Sequence, residues 1–147
     1  MKFKSLLFLS VFILLLSACK KDKACTQNPV SAEKADMIAF CTANSISYTE
    51  HSSGFLYQII TPGTGTVTPN LDSRVFMYYK GTLLNGTQFD AQSDPTKTGW
   101  YLKNLIEGWQ LGVPLIKKGG RIKLIIPSAL AYGCTGQGSI PANSPLF

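Results

Sequence analysis

The dipeptide Asn85-Gly86 constrains the fold of this 147-residue chain more than any other short stretch. It lies between two runs rich in aromatic and β-branched residues, 73–84 and 87–91. An Asn-Gly pair between such runs is the strongest short signal of an antiparallel hairpin. The sequence therefore predicts a long strand over 73–84 that returns through 87–91.

Other patterns predict three more strands and two helices. Ile106, Trp109 and Val113 recur at i, i+3 and i+7, which indicates one face of a short helix. Ser31 could cap a leader helix over 31–43. Helix signals set among antiparallel strands indicate an α+β fold in one domain. The predicted strands are 55–61, which turns at 62–65, then 100–102 and 121–127.

The N-terminus has the pattern of a secretory signal peptide over 1–18, with basic residues before an apolar run. The Leu-Ser-Ala-Cys motif that ends at Cys19 resembles the lipobox of bacterial lipoproteins, which makes Cys19 the expected lipidation site. An ordinary cleaved signal with an incidental cysteine is the alternative. Two or more acyl chains anchor a protein stably without spanning the bilayer. Because Lys20 rather than aspartate follows, we expect an outer-membrane lipoprotein, on the periplasmic face or at the cell surface. A tether and leader helix would occupy 19–53, before a folded domain over 54–147.

The charge pattern argues against nucleic acid as a partner. The chain carries 14 basic and 8 acidic residues, and loss of the two lysines in the signal peptide leaves 12 against 8, a formal charge of +4. The basic residues are scattered instead of forming a stripe interleaved with stacking aromatics.

The cysteines and the single histidine give little support to covalent or metal chemistry. Cys25 and Cys41 could form a disulfide in an oxidising compartment, or stay unpaired. Cys134 follows Gly133 and is expected to be a buried substitute for alanine. His51 stands in a polar stretch and is expected to be solvated. Since neither a histidine-activated nucleophile nor a ligand cluster is evident, we expect no metal and no cofactor.

Three blocks in order, "YYKGTLLNGTQFD", "LIEGWQLGVPLIKKGGRIKLIIP" and "AYGCTGQGSIP", resemble the FK506-binding-protein (FKBP) family of peptidyl-prolyl isomerases. The resemblance covers about 54–147, and with the lipobox the whole chain is similar to FKBP-type lipoproteins of Bacteroidetes-like bacteria. It implies a twisted antiparallel sheet wrapped on one short helix. It also implies acceleration of X-Pro isomerisation in exported proteins without covalent catalysis.

The resemblance also implies the site. Trp109 would form the floor of a pocket for a prolyl ring, and Ile106 would offer its backbone N–H to the ligand. Asp90 at the pocket edge and the Tyr132 hydroxyl, a donor to a substrate carbonyl, are the catalytic candidates. Gln137 stands where some members carry histidine. Without the resemblance, Phe89, Trp100 and Trp109 are better explained as core aromatics. The implied pocket walls are Tyr79, Phe89, Trp100, Leu105, Ile106, Trp109 and Ile140.

Two questions stay open in the sequence. The family's C-terminal strand, with a further pocket aromatic, would lie beyond Phe147, so the chain is expected to be a fragment or to fold poorly. A catalytically silent, membrane-anchored peptide-binding or chaperone module of the same family is the alternative function. Proline-containing polypeptides are the expected partners, macrolide FKBP ligands are possible ones, and the chain is expected to be a monomer.

Overall fold

The leader helix is the longest regular element among the described residues. In the computed structural model, which describes residues 24–147, helix α1 covers Val30–Ala43. The predicted Ser31 cap is wrong: Pro29 occupies the N-cap position in an extended conformation, and its carbonyl accepts the Ala32 N–H at 2.9 Å. The proline ring fixes φ near the helical value, at −67° here, so only ψ has to change for the chain to enter the helix. The predicted signal peptide and Cys19 lie outside the described residues.

Within residues 24–147, seven short strands form one three-stranded antiparallel sheet, β1-β2-β7, and two antiparallel pairs, β3-β6 and β4-β5. A register shift between Ile59 and Thr61 bends β2 against β7. The strands are β1 (Thr49–Glu50), β2 (Leu56–Thr61), β3 (Arg74–Val75), β4 (Tyr79–Thr82), β5 (Gln88–Gln92), β6 (Trp100–Tyr101) and β7 (Arg121–Ile125).

The predicted hairpin is confirmed as the β4-β5 pair. Gly86 takes a φ of +89° and donates to the Leu83 carbonyl at 2.9 Å, which closes the turn. The predicted strand over 73–84 is wrong in its continuity, because it divides into β3 and β4. Between them the Met77 N–H bonds the Thr98 hydroxyl at 2.9 Å, so a side chain takes the place of a neighbouring strand.

The two helices cover opposite faces of the three-stranded sheet. Leu56 and Ile125 pair across β2 and β7, and they pack against α1 in a buried cluster with Met37, Cys41 and Ile46. Successive strand residues face opposite sides, so the neighbouring Tyr57 and Leu124 pack on the other side, against the second helix. Residues on both sides of the domain boundary predicted at residue 54 therefore pack in one buried cluster.

The second helix, α2 (Glu107–Gly112), is shorter than its apolar pattern suggested. Ile106 occupies its N-cap, and Val113 begins a 3₁₀ turn over Val113–Leu115. Pro114 explains this change, because proline cannot donate the hydrogen bond that would continue an α-helix. Gly108 and Gly112 lie so close to Ile126, directly after β7, and to Leu124 in β7 that a Cβ at either position would come within 2.6 Å of those side chains.

Residues 146–147 connect the sheet to the hairpin. Leu146 exchanges two backbone hydrogen bonds of 2.8 Å with Ile126, and Phe147 exchanges two with Thr82, at 2.7 and 2.8 Å. The Phe147 ring lies 5.0 Å from that of Phe40 on α1. The end of the chain thus joins β7, β4 and the leader helix.

The prediction that Cys134 is a buried substitute for alanine is wrong, and the Cys25–Cys41 disulfide that the sequence left open is not formed. Cys25 is bonded to Cys134, while Cys41 is unpaired and fully buried. At about 1.5 Å per residue, α1 carries Cys41 roughly 16 Å along its axis from the helix start. Cys25 precedes that start and lies against the Cys134 loop. The burial of Cys41 also raises the pKa of its thiol.

His51 is half-buried, which contradicts its predicted solvation. Its ring stacks on Phe55 with centroids 4.4 Å apart, and its Nδ1 accepts the Ser53 N–H at 3.1 Å. Over residues 24–147, no helix is both long and apolar enough to cross a bilayer.

Candidate active site

Three aromatic side chains from β4, β6 and α2 form one cluster. The Tyr79 ring, on β4, lies 5.2 Å from Trp109 on α2 and 5.9 Å from Trp100 on β6, measured between ring centroids. The contact with Trp109 is edge-to-face, a favourable aromatic geometry. Trp109 also packs against the buried cluster around Phe55 and Ile126, so the core holds this ring in place.

Tyr79 also connects the aromatic cluster to Asp90. The Tyr79 hydroxyl donates to Asp90 Oδ2 at 2.5 Å, while Asp90 Oδ1 accepts the Ala91 N–H at 2.8 Å. Burial, and then the bond to Asp90, raise the pKa of Tyr79 far above its ordinary value. Tyr79 therefore stays a neutral donor. The sequence identified Tyr79 only as a pocket wall and missed this hydrogen bond.

A cavity of about 230 Å³ lies beside Asp90. Its apolar walls are Phe89 and the buried Ile140, and Tyr132 supplies a hydroxyl group. That hydroxyl forms no hydrogen bond within residues 24–147, which leaves it able to donate to a ligand. Burial, and then the charge of Asp90, raise the pKa of Tyr132. The complete lining is Phe89, Asp90, Tyr132, Gln137, Gly138, Ser139 and Ile140.

The Phe89 ring packs over Gly81 on the neighbouring strand of the hairpin. A Cβ on Gly81 would lie 2.5 Å from the tip of the Phe89 ring, so the ring covers the strand where no side chain stands. Gly81 pairs with Asp90 in the β4-β5 register. The hairpin therefore sets the positions of both Phe89 and the Asp90 carboxylate.

Tyr132 stands in a compact, internally bonded loop. The Ser128 carbonyl accepts the N–H groups of Ala131 and Gly133, both at 2.9 Å, and these residues flank Tyr132. The Tyr132 carbonyl in turn accepts the Gly136 N–H at 3.1 Å. These bonds fix the backbone on both sides of the Tyr132 ring.

Ile106 and Leu105 precede α2. The Ile106 carbonyl accepts the N–H groups of Trp109 and Gln110, whereas its own N–H has no acceptor in the described part of the chain. Gln110 Nε2 donates to the Leu105 carbonyl at 2.7 Å and to the Lys103 carbonyl at 3.2 Å, which holds the turn before the helix. Gln110 was missed, although its place beside Trp109 could have indicated it.

The structure thus brings the predicted site residues together in two connected groups. The bond between Tyr79 and Asp90 joins the aromatic cluster to the cavity. Ile106 packs with Trp109 on the same core cluster. Leu105 is half-buried, but none of the contacts described for residues 24–147 joins it to the cavity. The functional roles of these residues stay predictions.

A larger cavity, of about 590 Å³, lies between α1 and the hairpin loop, lined by residues such as Phe40, Leu84 and Pro145. It contains none of the predicted site residues, and Asp36 is its only ionisable side chain. The smaller cavity is the better candidate because polar groups converge on apolar walls there. Within the described residues, no group of three or more His, Cys, Asp or Glu side chains could hold a metal ion.

Comparisons with known proteins identify the family of the chain. The family model for FKBP-type peptidyl-prolyl cis-trans isomerases matches residues 65–147. The FKBP-type peptidyl-prolyl cis-trans isomerase FkpA of Buchnera aphidicola (from Schizaphis graminum) is 44% identical over 115 residues, 78% of this chain and 45% of that protein. FkpA of Escherichia coli K12 is 43% identical over 98 residues, 65% of this chain and 35% of that protein. The chain therefore spans less than half the length of these relatives.

Solved structures of related proteins have the same fold as this chain. The crystal structure of E. coli FkpA superposes with a TM-score of 0.65 at 35% identity, over 80% of this chain and 56% of that one. A peptidyl-prolyl cis-trans isomerase from Pseudomonas syringae also gives 0.65, at 31% identity, over 82% of this chain and 91% of that one. The predicted α+β fold is confirmed. The chain belongs to the family of FKBP-type peptidyl-prolyl cis-trans isomerases.

Proposed function

We propose that this chain is a peptidyl-prolyl cis-trans isomerase that accelerates X-Pro isomerisation in proline-containing polypeptides. The observation that carries the proposal is an aromatic and apolar pocket with a free hydroxyl donor, Tyr132, beside the carboxylate of Asp90. The reaction rotates a C–N bond and forms no covalent intermediate, so a nucleophile is not required.

The barrier to be lowered arises from amide resonance. Partial double-bond character gives a rotation barrier of about 18–20 kcal/mol, and uncatalysed prolyl isomerisation takes tens to hundreds of seconds. Resonance places negative charge on the carbonyl oxygen, and water stabilises that planar form. A pocket that replaces water with apolar walls and fits the twisted amide binds the transition state better than the ground state.

Each pocket group has a role in this scheme. In this proposal the prolyl ring lies between Phe89 and Ile140 of the cavity, and Trp109 of the neighbouring aromatic cluster forms the floor. The Tyr132 hydroxyl and the Ile106 N–H donate to substrate carbonyls and thereby hold the peptide on either side of the rotating bond. Asp90 fixes the Tyr79 hydroxyl, so that the edge of the pocket keeps its shape.

We also propose that the chain is lipidated at Cys19 and acts at the outer membrane on exported clients. The lipobox-like motif supports this. The Cys25–Cys134 disulfide supports an oxidising compartment, since disulfides persist mainly outside the cytosol. Cys19→Ser should release the chain from the membrane fraction or block its processing, with Cys41→Ser as the control. Unchanged membrane fractionation and mature mass in Cys19→Ser would exclude the anchor.

The activity is tested with a protease-coupled prolyl-peptide assay on the purified full chain in mild detergent. Tyr132→Phe removes one hydroxyl and should lower kcat/KM by about tenfold, equivalent to ~1.4 kcal/mol. Tyr78→Phe is the matched control, because Tyr78 is 72% exposed and lies outside the cavity. A chain that binds prolyl peptides or a macrolide FKBP ligand as a monomer, yet does not accelerate isomerisation, would instead be a silent binding module.

A further inference from the structure

The N-terminal segment 25–33, here called the strap, is held against the loop that carries Tyr132. Cys25 forms a disulfide with Cys134 in that loop. Gln27 contacts the loop at two points, because its Oε1 accepts the Cys134 N–H at 3.0 Å and its Nε2 donates to Ser128 Oγ at 3.2 Å. The strap therefore contacts the loop on both sides of Tyr132.

The strap also reaches the far end of the loop through Asn143. The Asn28 N–H donates to Asn143 Oδ1, and Asn143 Nδ2 donates to the Thr26 carbonyl, both at 3.1 Å. The Asn143 N–H donates to the Gly133 carbonyl at 2.8 Å. These bonds close a ring that includes the residue directly after Tyr132.

Glu33, at the end of the strap and in the first turn of α1, is the buried member of this arrangement. It is 4% exposed, and its carboxylate accepts the Ser128 N–H at 2.7 Å and the Ser128 hydroxyl at 2.5 Å. Asn28 Nδ2 adds a weaker contact at 3.4 Å. A buried carboxylate needs such partners, because removing its hydration without replacement is costly.

Ser128 transmits this restraint to the pocket. Its N–H is held by Glu33, and its own carbonyl accepts the N–H groups that flank Tyr132, from Ala131 and Gly133. Ser128 thus connects the Glu33 carboxylate to the turn that sets the position of the Tyr132 ring. A displacement of Ser128 would displace both flanking bonds together.

We propose that Glu33 is a positioning residue of the isomerase site, which holds the Ser128–Gly133 turn so that Tyr132 stands in the cavity. This rests on the proposed function, in which Tyr132 donates to the substrate. The leader helix is thereby part of the working pocket, although it contributes no residue that touches the peptide.

The test compares Glu33→Gln with the unmodified full chain. A glutamine keeps one oxygen acceptor and loses the charge, so one of the two Ser128 donors loses its acceptor and the remaining bond is weaker. We expect kcat/KM to fall by about tenfold. In chains with ¹³C-labelled tyrosine, the Tyr132 resonance, assigned with Tyr132→Phe, should shift or broaden, while that of Tyr79 stays in place.

Two further variants separate positioning from stability. Met37→Ala, one turn along α1, destabilises a fully buried cluster that does not include Ser128. Assayed well below its unfolding temperature, it should keep the wild-type rate and Tyr132 resonance. Ser128→Ala removes one Glu33 bond and keeps the other, so it should give a smaller loss in the same direction. It also provides the test if Glu33→Gln does not fold.

The outcomes distinguish the two proposals. If Glu33→Gln, or Ser128→Ala in its place, lowers only the unfolding temperature and leaves both the rate and the Tyr132 resonance unchanged, Glu33 is not a positioning residue. If the unmodified chain does not accelerate isomerisation, the proposed function fails. The tyrosine resonances then still decide whether Glu33 orients Tyr132.

Discussion

The contact between α2 and Ile126, the residue directly after β7, gives a sharp test of how Trp109 is held. A Cβ at Gly108 would lie 2.4 Å from Ile126 Cγ2, with Cδ1 and Cγ1 of the same side chain at 2.9 and 3.0 Å. Since three atoms of the isoleucine crowd the position, a change of rotamer does not clear it. Gly108→Ala must therefore push α2 away from the strand, and Trp109 is the next residue along.

The magnitude follows from two opposing terms. Overpacking a core costs about 1–3 kcal/mol, whereas alanine is favoured over glycine within a helix by up to about 1 kcal/mol. The net loss of about 1–2 kcal/mol should lower Tm by roughly 4–10 °C in a domain of this size. Misplacing a catalytic surface by about 1 Å can cost 100-fold in rate, so we expect kcat/KM to fall by at least about tenfold.

The assay is a double-mutant cycle with Ile126→Ala, which removes the crowding atoms. Ile126→Ala alone should cost about 2–5 kcal/mol as a cavity mutation. With Gly108→Ala added, the total should be smaller than the sum of the single losses by about 1–2 kcal/mol, measured by thermal or denaturant unfolding. Single losses that simply add, or a Gly108→Ala chain with wild-type Tm and rate, would refute the close-packing argument.

Three further predictions concern the pocket and the cysteines. Burial raises the pKa of both pocket tyrosines, so kcat/KM should be flat from about pH 6 to 9. The stability that these two tyrosines contribute should be lost as the pH rises above about 10, where they ionise first in the unfolded chain; a bell-shaped rate profile near neutrality would contradict the flat rate profile. Iodoacetamide should modify Cys25 and Cys134 after mild reduction but leave Cys41 unmodified until the chain unfolds, as peptide mass mapping would show. Trp109 emission should change when a prolyl peptide binds, measured in Trp100→Phe, and a silent Trp109 would place the site elsewhere.

Much of the pocket could be predicted from the sequence, because its parts depend on local patterns. Asn85-Gly86 between two β-forming runs sets the hairpin, and that hairpin brings Phe89 and Asp90 next to each other in one strand. Ile106 and Trp109 stand three residues apart, which places both on the core side of α2. The three blocks that resemble the family are each continuous in sequence, so their order and spacing alone identified the chain's relatives.

The Cys25–Cys134 disulfide could not be predicted from a local pattern, because the two cysteines are separated by 109 residues. Cys25 and Cys41 lie closer in sequence and were the more obvious pair. Loop and helix geometry decides otherwise, since α1 carries Cys41 into the core while Cys25 stays at its start. Sequence distance is a poor guide once a helix separates two residues.

Glu33 shows what a sequence pattern can predict and what it cannot. An acidic residue in the first turn of a helix is explained by the helix dipole, so no pattern in the sequence indicated a further role for Glu33. Yet Glu33, Met37 and Cys41 recur every four residues, so one face of α1 buries all three. The sequence determined that a leader helix, a hairpin and a tryptophan-bearing helix exist. Only the tertiary structure decided that the leader's carboxylate meets Ser128 and so restrains Tyr132, because a contact between residues 95 positions apart depends on how the elements pack and not on the pattern within any of them.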